Sequence, residues 1–167
     1  MGEKQQLTDH IVSVLVNNHP GVLSKVTSLI TRRGFNIDGI SAGNTKQSDM
    51  FRLTIVVKGD DRSIEQIQKQ LYKIIDVVKV WTITPESKLD REIGLIKIRI
   101  PHSQRNEILQ MINVFKASVV DAGPEGFIVE ITGTSEKIDS FLSLFEHHQI
   151  VEVARSGIVA MNRWEKK

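Results

Sequence analysis

The 167 residues carry 22 Lys and Arg against 20 Asp and Glu, a net charge of +2, and are 40% hydrophobic, 25% charged and 5% aromatic. Ordinary apolar content with so small a charge excludes bulk disorder and argues against a strong cationic field for nucleic acid. No cysteine is present, which removes disulfides, thiolate metal centres and a thiol nucleophile and fits a reducing, cytoplasmic setting. No window approaches the ~18 uninterrupted apolar residues that span a bilayer, and residues 1–9 lack the apolar middle of a signal peptide. The expectation is a cytoplasmic protein that engages neither membrane nor nucleic acid.

Residues 10–16 (HIVSVLV) are short, β-branched and closed by Asn17-Asn18-His19-Pro20-Gly21, which predicts a strand running into a turn. Pro20 and Gly21 open a helix in which Val22, Leu23, Val26, Leu29 and Ile30 recur at helical spacing, and Gly34 stops it. Residues 37–42 predict a second strand and 44–49 a polar hairpin loop. Leu53, Ile55 and Val57 alternate with polar residues as a third strand, and Asp60 and Asp61 supply capping carboxylates. A second helix carries Ile64, Ile67, Leu71 and Ile74, and residues 77–83 make a fourth strand. The order βαββαβ is that of a ferredoxin-like module.

Residues 85–90 (PESKLD) read as a polar linker, and the same order then returns. Strands are expected at 93–100, 118–122, 127–131 and from 150. Helices are marked by Ile108, Met111, Ile112 and Phe115 and by Ile138, Phe141, Leu142 and Phe145. A shift of 74 positions lays Gly59 on Gly133, Ile64 on Ile138, and Leu53, Ile55 and Val57 on Phe127, Val129 and Ile131. The predicted architecture is therefore α+β, two ferredoxin-like βαββαβ domains at 8–84 and 92–163 joined by a linker at 85–91.

No phosphate-binding glycine loop or nucleophile elbow is present, and the five histidines show no ligand-like spacing with carboxylates. His147-His148 reads as a polar helix end rather than a metal pair, since neighbouring helical residues point about 100° apart. Asp60-Asp61 reads as a cap, Arg32-Arg33 as the cationic end of a helix, and Trp81 as packing. Neither catalytic residues nor a metal site is expected. RNA binding would need stacking aromatics that Gly126-Phe127-Ile128-Val129 does not supply.

The turn Asn18-His19-Pro20-Gly21-Val22-Leu23 invites a third reading, small-molecule sensing. A helix start offers unpaired N–H groups and a positive dipole end to a carboxylate, and Gly21 lets a ligand approach the backbone. Asn18 has both donor and acceptor to offer an amino acid. A plain capped turn explains the same residues equally well.

That turn, with Arg32-Arg33-Gly34-Phe35-Asn36-Ile37, resembles the ACT domain of acetolactate synthase (acetohydroxyacid synthase) small regulatory subunits. Arg91-Glu92-Ile93, Gly133-Thr134-Ser135 and residues 150–157 (IVEVARSG) extend the likeness across 10–163. The resemblance implies a non-catalytic regulatory subunit of branched-chain amino acid (valine, isoleucine, leucine) biosynthesis. Such a subunit forms a homodimer through its ACT domains and holds no cofactor of its own. It binds a catalytic large subunit that uses thiamine diphosphate, Mg and FAD, activates it, and confers feedback inhibition by valine (or leucine or isoleucine).

The resemblance further implies an effector site at the dimer seam. Asn18, His19, Gly21, Val22 and Leu23 would come from one protomer, and Asn36 and Ile37 from its neighbour. The C-terminal domain would contact the large subunit. A stand-alone ACT sensor serving another enzyme is the alternative.

Overall fold

The computed structural model describes residues 8–145 and 149–164, which form two units. The first comprises the chain up to Leu89 together with the segment from Ile158, and the second is Asp90–Gly157.

In the first unit β1 (Thr8–Asn17), α1 (Val22–Arg32), β2 (Ile37–Asn44), β3 (Met50–Gly59), α2 (Asp61–Leu71) and β4 (Val77–Ile83) follow one another in the predicted order. The sheet runs β2-β3-β1-β4 with every neighbour antiparallel. The two inner strands are the most apolar because both of their faces must be covered. Val12, Val14 and Val16 with Leu53, Ile55 and Val57 face Val22, Val26 and Ile30 of α1 and Ile64, Ile67 and Leu71 of α2. Each such burial contributes about 1.5–3 kcal/mol, enough to override the modest helix propensity of the β-branched residues in α1.

Local signals set the ends. Gly34 takes φ +80° just beyond α1, a left-handed conformation that a side chain would strain. Asp60 caps α2 by accepting the Ser63 N–H at 2.7 Å, a bond that holds its carboxyl below the ordinary carboxylate range. Ile74 lies past the end of α2 and packs against the core from the following turn.

The other face of this sheet is covered by the end of the chain. Ile11, Val56 and Ile83 pack with Ala160, flanked by Trp81 and Ile158. The backbone here is pinned by Ser41 Oγ to the Ile158 carbonyl at 2.6 Å and Arg52 Nη2 to the Ala160 carbonyl at 2.6 Å. Arg163 N–H closes on the Ser87 carbonyl at 2.7 Å. The sequence reading placed 158–163 in the second domain and missed β9 (Val159–Asn162). Of its apolar residues Ala160 is buried while Val159 and Met161 are half-exposed, so hydropathy along the chain does not say which surface the segment covers.

The linker expected at 85–91 is also shorter than read. Only a turn at 84–87 separates β4 from β5 (Lys88–Arg99). Asp90 and Glu92 occupy core-facing positions at the start of β5, so the strand begins with a polar stretch that reads as loop.

The second unit continues with α3 (Arg105–Val114), β6 (Ser118–Gly123), β7 (Gly126–Gly133), α4 (Ser135–Leu144) and β8 (Gln149–Arg155). Its strand order β6-β7-β5-β8 repeats that of the first unit. Ile96, Ile98, Phe127, Val129 and Ile131 face Ile108, Ile112, Ile138, Phe141 and Phe145. The Phe141 ring meets Phe115 edge-on, centroids 5.4 Å apart, and Phe145 at 4.8 Å. The protein is thus α+β, two ferredoxin-like units of one topology. His147 and His148 lie outside the described residues.

Candidate functional site

The turn between β1 and α1 is built as the sequence suggests. Asn17 is the last residue of β1, paired with Met50, whereas Asn18 already stands outside the strand with an exposed side chain. The backbone is tied down by Asn18 N–H to the Asp49 carbonyl at 2.8 Å and His19 N–H to the Asn17 carbonyl at 2.9 Å. Gly21 takes φ +82° at the start of α1, and a Cβ there would meet nothing within 4 Å. Open space and a left-handed residue together explain the glycine.

No side chain caps α1. The Val22 N–H bonds the His19 carbonyl at 3.2 Å, but the N–H groups of Leu23 and Ser24 meet no acceptor among the described residues. These first-turn donors sit at the positive end of the helix dipole, where a carboxylate is favoured by about 0.3–1 kcal/mol beyond its hydrogen bonds. Val22 itself contributes little here, because its side chain is buried in the core and its N–H is spent. Leu23 is half-exposed.

Asn36 and Ile37 stand elsewhere. Asn36 Nδ2 donates to Asp38 Oδ1 at 2.6 Å, and Asp38 in turn meets Lys58 at 3.2 Å. Ile37 is half-buried against the core. The strand register fixes their distance from the turn. Ile37 pairs with Val57, which pairs with His10, while Asn17 pairs with Met50 at the other end of the sheet. Seven strand residues at about 3.3 Å each separate the two levels by roughly 23 Å. Within one chain the two groups of expected contacts therefore lie at opposite ends of α1 and never meet.

One contributor escaped the sequence reading. Asp76, just before β4, accepts His19 Nδ1 at 2.8 Å and Lys25 Nζ at 2.9 Å with its side chain only 8% exposed. The Lys25 and His19 bonds hold the Asp76 carboxyl below the ordinary carboxylate range. Nothing local in Ile75-Asp76-Val77 distinguishes this acid from a surface one.

The other blocks behind the resemblance have a structural explanation. Glu92, buried on the core face of β5, receives Arg155 through two bonds, Nε to Oε1 at 2.9 Å and Nη2 to Oε2 at 2.6 Å. Ser135 Oγ adds a third at 3.0 Å, and Arg155 Nη1 reaches Asp139 at 2.6 Å. Arg155 is the main reason that the Glu92 carboxyl lies below its ordinary range, opposing the desolvation that would raise it. Thr134 caps α4, and Ser156 exchanges two 3.0 Å bonds with Ile93. These residues close the second unit rather than form a ligand site.

A ferredoxin-like fold repeated in tandem, with an uncapped glycine-started helix in the first copy, is the architecture of an ACT-type protein. Residues 12–79 match the model described as the AHAS small subunit-like ACT domain, and residues 91–164 match that of the small subunit of acetolactate synthase. The probable acetolactate synthase small subunit of Archaeoglobus fulgidus is 46% identical over 95% of this chain and 99% of its own. The acetolactate synthase small subunit of Mycolicibacterium smegmatis is 45% identical over 92% of this chain and 91% of its own. The crystal structure of the Thermotoga maritima small subunit superposes with a TM-score of 0.91 at 47% identity, covering 95% of this chain and 99% of that one. The chain belongs to the acetolactate synthase small-subunit family.

Proposed function

We propose that this chain is the regulatory subunit that makes a catalytic acetolactate synthase large subunit responsive to branched-chain amino acids, valine foremost. The observation that carries the reading is the separation of the two half-sites. Leu23 and Ser24 N–H groups, with Asn18 and His19, lie at one end of α1, and Asn36 and Ile37 lie at the other. β2 is an edge strand. Two copies joined antiparallel along β2 would bring the Asn36 end of one beside the Gly21 end of the other. Ser24, Thr27, Ser28 and Thr31 support the same arrangement, lining a shallow hollow on α1 at i, i+3, i+4 and i+7. Small side chains let a second helix approach closely.

In that seam the helix-start amides hold the effector carboxylate, Asn18 and Asn36 meet its polar groups, and Ile37 lines the apolar side. Preference for valine over alanine rests on two extra methyl groups, each worth about 0.8 kcal/mol when buried. Chemistry belongs to the large subunit with its thiamine diphosphate, Mg and FAD, and this chain supplies activation and feedback. The relatives' names favour this reading over a stand-alone sensor. Isothermal titration with valine, leucine, isoleucine, alanine and serine, beside sedimentation, tests it. The expected result is a dimer that saturates with branched-chain amino acids and confers valine inhibition on the reconstituted large subunit. A monomer that still binds valine would overturn the seam.

A further inference from the structure

A little-exposed acid braces the proposed effector turn from outside it. Among the described residues Asp76 makes its hydrogen bonds to residues 17–25: its carbonyl takes the Asn17 N–H at 2.8 Å, Oδ1 faces His19 Nδ1 at 2.8 Å, and Oδ2 takes Lys25 Nζ at 2.9 Å. A carboxylate only accepts hydrogen bonds, so the proton of this imidazole contact sits on Nδ1. Lys25 shares the carboxylate, and the imidazole meets it as a donor. With Nδ1 protonated, a neutral ring keeps its lone pair on Nε2. That nitrogen meets no partner among the described residues, and the side chain is 65% exposed, four and five residues ahead of the open Leu23 and Ser24 amides in the chain.

We propose that Asp76 is a positioning residue for effector recognition: it fixes His19 as the Nδ1–H tautomer, so that Nε2 accepts a hydrogen bond from the ammonium group of an amino-acid effector. The inference rests on the seam reading above. It divides the labour there, with α1 amides for the carboxylate and His19 for the ammonium. It also makes the site selective for amino acids over carboxylic acids that lack an amino group. The sequence distance of 57 residues between His19 and Asp76 explains why no local motif announces the pair.

Long-range proton–nitrogen NMR of the full chain at pH 8, above the usual imidazole range, reads the tautomer directly. Wild-type His19 is expected as Nδ1–H, and Asp76→Ala as the Nε2–H form that solvent-exposed imidazoles favour. In titrations with valine, Asp76→Ala is expected to raise Kd about 5- to 10-fold, the loss of one oriented hydrogen bond. Asp76→Asn keeps the turn filled but leaves one oxygen for Lys25 and turns its Nδ2 donor on His19 Nδ1, so the Nε2–H tautomer and a loss like that of Asp76→Ala are expected without loosening of the turn. Adding Asp76→Ala to His19→Gln should cost nothing further, because the acid acts through the histidine. A wild-type Nε2–H tautomer, or additive losses in the double variant, would overturn the proposal. Should wild type bind no valine, the seam reading fails instead, and the tautomer still decides whether Asp76 sets His19.

Discussion

Gly21→Asp tests the proposed effector site at its centre. The residue holds φ +82° and its missing Cβ has open space, so the substitution costs the fold only left-handed backbone strain, about 1–2 kcal/mol. The new carboxylate would stand on the order of 5 Å from one bound to the Leu23 and Ser24 amides, a repulsion between about 0.8 kcal/mol in water and about 3 kcal/mol at an effective dielectric of 20. The turn is exposed on one side and backed by protein on the other, so a value near 2 kcal/mol is expected, roughly a 30-fold loss of valine affinity. Gly21→Ala carries the same strain without the charge and should stay within about threefold of wild type. Calorimetric titration of both variants gives the contrast. Raising salt from about 0.1 to 1 M should recover part of the loss only in Gly21→Asp, since screening acts on charge. In the reconstituted enzyme valine inhibition should move to roughly 30-fold higher valine while the subunits stay associated. Equal affinity in the aspartate and alanine variants would refute a carboxylate site at the start of α1.

Arg155→Met should destabilise the second unit by about 2–3 kcal/mol in urea titration, below the full cost of breaking a buried pair because Arg155 is partly exposed. A loss under about 0.5 kcal/mol would show that the pair is dispensable. The folded Glu92 carboxyl lies below its unfolded range, so its contribution is complete above about pH 4.5 and fades as pH falls below that. Wild type should therefore lose stability more steeply than Arg155→Met between about pH 4.5 and 3, and parallel profiles would sink the linkage. Arg52 stacks 4.9 Å over Trp81 and holds the Ala160 carbonyl. Arg52→Met should accelerate amide exchange at 158–161 about tenfold with a change in Trp81 fluorescence, and unchanged exchange would mean that apolar packing alone retains this segment. Phe141→Ala should cost about 3–5 kcal/mol, since two neighbouring rings lose contact, and a cost under about 1 kcal/mol would show that they refill the space.

The secondary structure was legible because its signals are local. Val12, Val14 and Val16 alternate, Val22, Val26 and Ile30 recur at helical spacing, and each pattern shows in a few residues which side will be buried. The cap at Asp60 and the stop at Gly34 are likewise written at their own positions. Even the tandem repeat could be found, since buried positions in one copy fall on buried positions in the other. The candidate turn was visible too, because glycine before a helix is a backbone demand that side-chain chemistry cannot disguise.

Partnership over long sequence distances was not legible. Glu92 and Arg155, 63 residues apart, look like unrelated charges until β5 and β8 lie side by side. Asp76 looks like any acid before a strand until the end of β1 reaches it. The return of Ile158 and Ala160 to the first sheet depends on which apolar face stays open after the helices have packed, a property of the whole assembly of elements. The separation of Gly21 from Asn36 follows from strand register, which cross-strand pairing sets and residue order along the chain does not. The sequence by itself determined which segments become strands and helices and where a glycine opens a helix start. Only the tertiary structure decided which charges meet and that Gly21 and Asn36 lie at opposite ends of α1, because those outcomes depend on contacts between elements distant in sequence.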